Sequence, residues 1–248
     1  MLTSSLVDQR SARTRLFVAS VAGLAVANAA PVLTAWGRGR RALLPRLAGI
    51  GATDRIALTF DDGPDPESTP LFVAELARLG WSATFFVLGD MVRRNPSLVA
   101  EMVAAGHEVA LHGDRHRAHI RRSPTDVIDD LRRSYDTVTD AAGVPPRWFR
   151  PPYGYLSAGS LLGARALGLR TVLWSAWGRD WTAHATPESV TRTVWRDLSP
   201  GGTVLLHDAD CTSAPRAWRS ALGALDLLGA RLDAEGLRVV ALRDHWPS

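Results

Sequence analysis

The sequence predicts an α/β protein built on a mainly parallel sheet, and three observations carry that prediction. From Arg55 onward, apolar runs bounded by turn residues alternate with segments of helical period, the pattern of consecutive strand–helix units. The runs Ile56-Ala57-Leu58, Thr84-Phe85-Phe86-Val87 and Val204-Leu205-Leu206 lack apolar–polar alternation, as expected of strands covered on both faces. Helix starts are marked at Thr69-Pro70, Asn95-Pro96, Ser123-Pro124 and Thr186-Pro187. At each, a capping side chain precedes a proline in the first turn, where a missing N–H costs nothing.

In chain order, the strand candidates are Arg55 to Phe60, Ser82 to Leu88, Glu108 to His112, Trp148 to Arg150, Arg170 to Trp174, Thr203 to His207 and Leu237 to Leu242. Gly80 and Gly106 close the first two helices. The third carries Val127, Ile128, Leu131, Tyr135 and Val138 on one face, as a helix covering a sheet does. A barrel and a doubly wound sheet both satisfy this pattern. In either, ligand chemistry gathers at the carboxyl ends of the strands, so the polar residues ending the apolar runs become the candidates: Asp61, Asp62, His112, Arg150 and His207.

The chain has 248 residues, 46% hydrophobic and 22% charged, the balance of a folded protein, and one large domain over residues 54–248 is the simplest division. Its net charge of +4 comes from arginine alone, scattered without blocks, which argues against a dedicated nucleic-acid surface. A pI of about 10.1 favours weak, salt-screened attraction to an anionic wall or headgroup layer. Cys211 is the single cysteine, which excludes an internal disulfide and a thiolate metal site. Residues 1–53 read as a signal or membrane-anchor segment, apolar over 16–36, followed by a linker from Gly37 to Asp54. Arginines flank the apolar stretch, and Ala27-Asn28-Ala29 resembles a signal-peptidase site. The expected location is therefore extracytoplasmic, secreted or anchored.

Two adjacent carboxylates, Asp61 and Asp62, leave a strand where Gly63-Pro64 forces a turn, so one can bind a metal while the other stays free as a base. His112 and His116, four residues apart at another strand exit, complete with Asp62 a two-histidine, one-carboxylate set that leaves coordination positions open. His119 ranks below His116 as a ligand. Arg150 can hold the free carboxylate ionised, and His207 can supply a proton to a leaving group.

Taken in this order, Thr59-Phe60-Asp61-Asp62-Gly63-Pro64, His112-x-x-x-His116, Arg150-Pro151-Pro152-Tyr153-Gly154 and Leu205-Leu206-His207 resemble the polysaccharide deacetylase family, the NodB-homology domain of carbohydrate esterase family 4, over roughly residues 54 to 243. The resemblance implies a distorted (β/α) barrel of about seven parallel strands that removes N-acetyl groups from a glycan such as peptidoglycan or chitin-like oligomers. It implies Asp62, His112 and His116 as ligands of a divalent metal, commonly Zn2+, with Co2+, Ni2+ or Mn2+ as substitutes. Asp61 becomes the base, Arg150 its charge partner and His207 the acid. The Tyr153 N–H helps hold the oxyanion, while Trp181 and Leu205 line the acetyl pocket. Two positions depart from the family pattern. Gly113 stands where Ser or Thr usually steadies the loop, and Trp177 stands where an Asp usually tunes the acid histidine, a role for which Asp180 is the substitute. The protein is expected to act as a monomer. An O-acetyl glycan esterase and a glycan-binding protein without turnover are the competing readings; an iron-dependent oxygenase fits the ligand set but leaves Asp61 and His207 without roles.

Overall fold

The computed structural model describes residues 23, 25–35 and 37–246. The expected signal or anchor stretch, residues 16–36, falls largely outside them, and among the described residues no helix is long and apolar enough to cross a membrane.

Strands β1 (Arg55–Asp61), β2 (Thr84–Val87), β3 (Glu108–Leu111), β4 (Trp148–Phe149), β5 (Arg170–Thr171), β6 (Ala176–Trp177) and β7 (Thr203–His207) form a curled parallel sheet in the order β5-β4-β3-β2-β1-β7-β6, and β8 (Arg238–Val240) adds to β1. Around it lie α1 (Gly37–Leu43), α2 (Thr69–Leu79), α3 (Gly89–Arg94), α4 (Pro96–Ala104), α5 (Pro124–Ala142), α6 (Ala158–Ala166), α7 (Pro187–Asp197) and α8 (Trp218–Ala234). The barrel is the architecture chosen from the two that periodicity left open.

Both faces of the central strands are buried, but they serve different cores. Ile56, Leu58 and Phe60 of β1, Phe85 and Val87 of β2, Leu111 of β3 and Val204 and Leu206 of β7 point outward into the layer under the helices. Phe60 stacks there on Phe85 and meets Phe72 of α2 edge-on, both with ring centroids 5.0 Å apart. The intervening residues point inward, where Ala57, Phe86, Ala110, Trp148 and Val172 form a small second core. Because side chains alternate strictly along a strand, the same inward phase carries Asp61, His112, Arg150 and His207 to the barrel's carboxyl end. Register then sets their neighbours: Asp61 lies directly across from His207 on β7, and Leu111 across from Phe149, so that His112 and Arg150 follow side by side.

The strand expected over Arg170 to Trp174 stops at Thr171, and a short eighth strand, β6, follows. Between them the chain crosses the open seam of the barrel. Val172 N–H donates to Phe149 O (3.0 Å) on the β4 side, and Ser175 N–H donates to Thr203 O (3.0 Å) on the β7 side. Leu173 N–H turns away to Leu47 O (2.7 Å), so it cannot continue a ladder.

That last bond shows why residues 37–53 are not a free linker. Arg40 is buried and donates to Thr34 O (3.0 Å) and Trp174 O (2.7 Å), its guanidinium lying 5.5 Å from the Trp174 ring centre. Arg41 donates to Ser175 O. The segment uses its arginines to satisfy carbonyls that the missing strand leaves unpaired.

Two of the four expected caps form. Ser123 accepts from Asp126 N (3.1 Å) and Thr186 from Ser189 N (3.2 Å), the latter in a reciprocal capping box. Asn95 makes no side-chain cap, and at α2 the N-cap is Ser68, not Thr69. The Thr69 hydroxyl instead donates to Asp208 Oδ2 (2.5 Å), a tertiary contact that outcompetes local capping.

Candidate active site

Arg150 is the largest fully buried side chain and organises the site from below. Its Nη1 donates to Asp61 Oδ1 (2.6 Å) and Thr59 Oγ1 (2.9 Å), its Nη2 to Leu173 O (2.9 Å) and its Nε to Val172 O (3.4 Å). The ring of Phe86 lies 4.0 Å from the guanidinium carbon. Burial disfavours charge on both partners: it pushes the Asp61 carboxyl up to about 6 against the opposing pull of Arg150 and His207, and it lowers Arg150. A carboxylate with that pKa is mostly ionised at pH 7 yet is a far better proton acceptor than an ordinary aspartate.

Asp62 turns the other way. It adopts φ 81°, a left-handed conformation uncommon outside glycine, which sends its side chain to a different partner from that of Asp61. Its Oδ2 accepts from Thr212 Oγ1 (2.8 Å), and its Oδ1 is buried with no hydrogen-bond partner, 3.5 Å from His112 Nε2 and 3.4 Å from His116 Nε2. Those spacings fit a shared cation: two bonds of about 2.1 Å meeting near the tetrahedral angle separate their ligand atoms by about 3.4 Å. The His112 Nδ1 lies 2.8 Å from Arg150 O, which places its proton there and its lone pair at Nε2. Burial holds the pKa of His112 well below, and that of His116 below, the usual histidine value, so both imidazoles are neutral, as ligands must be. Asp62, His112 and His116 are thus a candidate divalent-metal set whose donor atoms all lie within 4.8 Å.

His119 is not part of it. It is fully buried, its Nδ1 3.0 Å from Ser160 Oγ and its ring stacked on Phe149. The loop that carries the two ligands is anchored despite Gly113. Gly89 N–H donates to Gly113 O (3.0 Å) and Asp114 N–H to Asp130 Oδ2 (2.7 Å), while φ +95° at position 113 suits glycine. At Gly63 the reason is space, since a Cβ there would collide with the Asp208 carboxylate.

His207 is held by Asp180 at two points. Its N–H donates to Asp180 Oδ2 (2.7 Å) and its Nδ1 lies 3.0 Å from Asp180 Oδ1. Burial works against an imidazolium here, but Asp180, reinforced by Asp62 and Asp61, outweighs it and raises His207 to about 10. Asp180 thus contacts His207 through both carboxylate oxygens.

If Asp61 serves as base and His207 as acid, their values of about 6 and about 10 set the expected pH profile. Activity falls as Asp61 gains its proton below about 6, and falls again as His207 loses its proton above about 10. In Asp180→Asn the largest upward pull is gone while burial and the weaker pulls of Asp62 and Asp61 remain, so the alkaline limb of kcat/KM moves to lower pH while the acid limb stays. Paired pH–rate profiles of the two proteins check this.

These groups line a cavity of about 270 Å³ with Tyr153, Trp174, Trp177, Trp181 and Leu205. Trp181 stacks on Trp177 (centroids 4.3 Å, 18°), forming a flat aromatic wall. Tyr153 has φ 61°, and its ring meets His116 at 4.2 Å. Among the described residues its N–H has no protein acceptor. Every candidate named from the sequence except His119 is in or directly behind this cavity. Sequence reasoning missed Thr212, which aims Asp62, and Asp208, a buried carboxyl pushed by burial up to about 7 and tied to Thr69. Neither sits in a motif with a recognisable spacing.

Fold and residues together define a parallel (β/α) barrel with a two-histidine, one-carboxylate cluster at its carboxyl end, and known proteins resemble the chain in sequence and in fold. The profile of the polysaccharide deacetylase family matches residues 49–172, and the chain belongs to that family, whose members use a divalent metal. It is 33% identical over 203 residues, 82% of its own length, to a peptidoglycan-N-acetylglucosamine deacetylase of Listeria monocytogenes, of which it spans 41%. It is 38% identical over 160 residues to a chitooligosaccharide deacetylase of Bradyrhizobium, covering 64% of this chain and 73% of that one. A family 4 carbohydrate esterase from Streptomyces lividans, solved in complex with acetate, superposes with a TM-score of 0.67 at 30% identity, covering 76% of this chain and 93% of that one.

Proposed function

We propose that this protein is a metal-dependent hydrolase that removes N-acetyl groups from N-acetylglucosamine units of an extracytoplasmic polysaccharide, with zinc as its resident ion. One observation carries the proposal: an arginine-bound carboxylate and an aspartate-bound imidazolium, Asp61 and His207, line one cavity beside the Asp62, His112 and His116 cluster. The names of the relatives supply the substrate class, and their peptidoglycan substrate supports a location outside the cytoplasm. The apolar stretch of residues 16–36 would then serve export or anchoring.

The bound ion would polarise the acetyl carbonyl and bring the pKa of the attacking water toward about 7. Asp61 takes the proton from that water, its orientation fixed by Arg150. The Tyr153 N–H donates to the oxygen that becomes negative, a preformed donor aimed at developing charge. His207 gives its proton to the departing amine, which is too poor a leaving group unprotonated, and Asp180 keeps the donating nitrogen turned toward the cavity. Trp177, Trp181 and Leu205 enclose the acetyl group and exclude bulk water.

Acetate release by the full chain from N-acetylglucosamine oligomers, peptidoglycan and an O-acetylated xylan tests the reading. Release from the amide substrates supports it. Release from the ester alone identifies an O-acetyl esterase, and sugar binding without release from any of the three identifies a binding protein.

A further inference from the structure

Beside the cavity lies a second hollow of about 620 Å³ that the chemistry above does not use. The two share His116, Tyr153 and Tyr155, so one ligand can occupy both at once. The remaining wall of this hollow comes from the loop after His116 and includes Arg117, Arg121 and Arg122, with no carboxylate among its lining residues. Arg122 is spoken for, its Nη1 2.5 Å from Asp130 Oδ1. Arg117 and Arg121 are exposed and, among the described residues, have no ion-pair partner. Asp114 is paired with Arg93 (2.6 Å) and Asp129 with Arg132 (3.6 Å). Tyr153 and Tyr155, 51% and 39% exposed, stack at 6.2 Å on the ridge between the two hollows.

We propose that this groove is a specificity subsite for a carboxylate carried by the sugar next to the one being deacetylated, which makes the substrate an acidic wall glycan and not a neutral chitin-like chain. The inference rests on the deacetylase reading and sharpens it. Exposed aromatic faces suit the apolar faces of sugar rings, and a planar guanidinium suits a carboxylate. The two uncompensated arginines line the hollow that meets the cavity at His116, Tyr153 and Tyr155. A neutral oligomer gives them nothing to pair with. A peptidoglycan strand does, because its alternate sugars carry either a free lactyl carboxylate or, where a stem peptide is attached, the peptide's carboxylates.

The test is equilibrium binding, which needs no turnover. The zinc-loaded full chain is titrated with a peptidoglycan tetrasaccharide bearing its carboxylates and with N-acetylglucosamine tetramer, in wild type and in Arg117→Gln/Arg121→Gln. Two exposed ion pairs predict a preference of about fivefold for the acidic ligand at low salt. That preference disappears in the double variant and at high salt, with affinity for the neutral tetramer unchanged. Equal binding of both ligands by the wild type, or a preference that survives the double substitution, overturns the proposal. If the preference holds but no acetate is released from either ligand, the deacetylase reading fails and the groove stands.

Discussion

Asp61→Asn is expected to lower kcat by roughly 10²–10⁴-fold, the range that a positioned base contributes. The amide is isosteric and can still accept from Arg150, so the barrel and the metal cluster should survive, but it cannot take a proton from water. Stability should fall modestly, because the amide keeps the hydrogen bond from Arg150 but leaves that fully buried guanidinium without a counter-charge, a cost partly offset by burying a neutral group in place of a carboxylate. The separation of activity from folding and from zinc affinity is what distinguishes a base from a structural aspartate. Circular dichroism, zinc titration and initial rates on one preparation measure all three. Loss of zinc binding in parallel with activity would place Asp61 among the ligands instead.

Arg150→Ala should produce the largest loss of stability. The side chain is fully buried, and its removal leaves the Asp61 carboxylate, Leu173 O and Val172 O without their donor. Stripping one partner from a buried pair costs about 3–5 kcal/mol, which for a domain of this size lowers Tm by roughly 10 °C. The double variant Arg150→Ala/Asp61→Asn removes the orphaned charge and should recover part of the loss. Thermal unfolding of wild type, the single variants and the double variant closes the cycle. Additive effects would mean that the two residues do not act as a pair.

Much of this site was legible because β strands in a parallel barrel expose their chemistry at one end. An apolar run that breaks off at Asp61, His112 or His207 announces both a strand and a residue at its mouth. What the runs concealed was that their two faces differ: Phe60 and Leu206 pack under helices while Thr59 and Leu205 face the barrel interior, and only the closed sheet separates them. The partners that aim the functional groups were harder to see. Asp180 reaches His207 from 27 residues away and Thr212 reaches Asp62 from 150, distances that no local pattern encodes. The misread features have the same origin. Thr69 resembles a cap but bonds Asp208, and the arginines of residues 37–53 resemble a linker's but fill the seam that the broken fifth strand leaves. In each case a long-range polar contact overrode a local preference. The scattered arginines likewise conceal a grouping, since Arg117 and Arg121 line one hollow with Tyr153 and Tyr155 from a different part of the chain.

The most direct test of the central claim follows acetate release together with metal content. Wild type and Asp62→Ala are each assayed as prepared, after chelation, and after titration with zinc. The account predicts that chelation abolishes wild-type activity and one equivalent of zinc restores it, whereas Asp62→Ala binds zinc at least about 10–100-fold more weakly, the loss typical of even an outer-shell partner, and recovers little. Undiminished acetate release from chelated, metal-free protein, or full activity in Asp62→Ala, would contradict it.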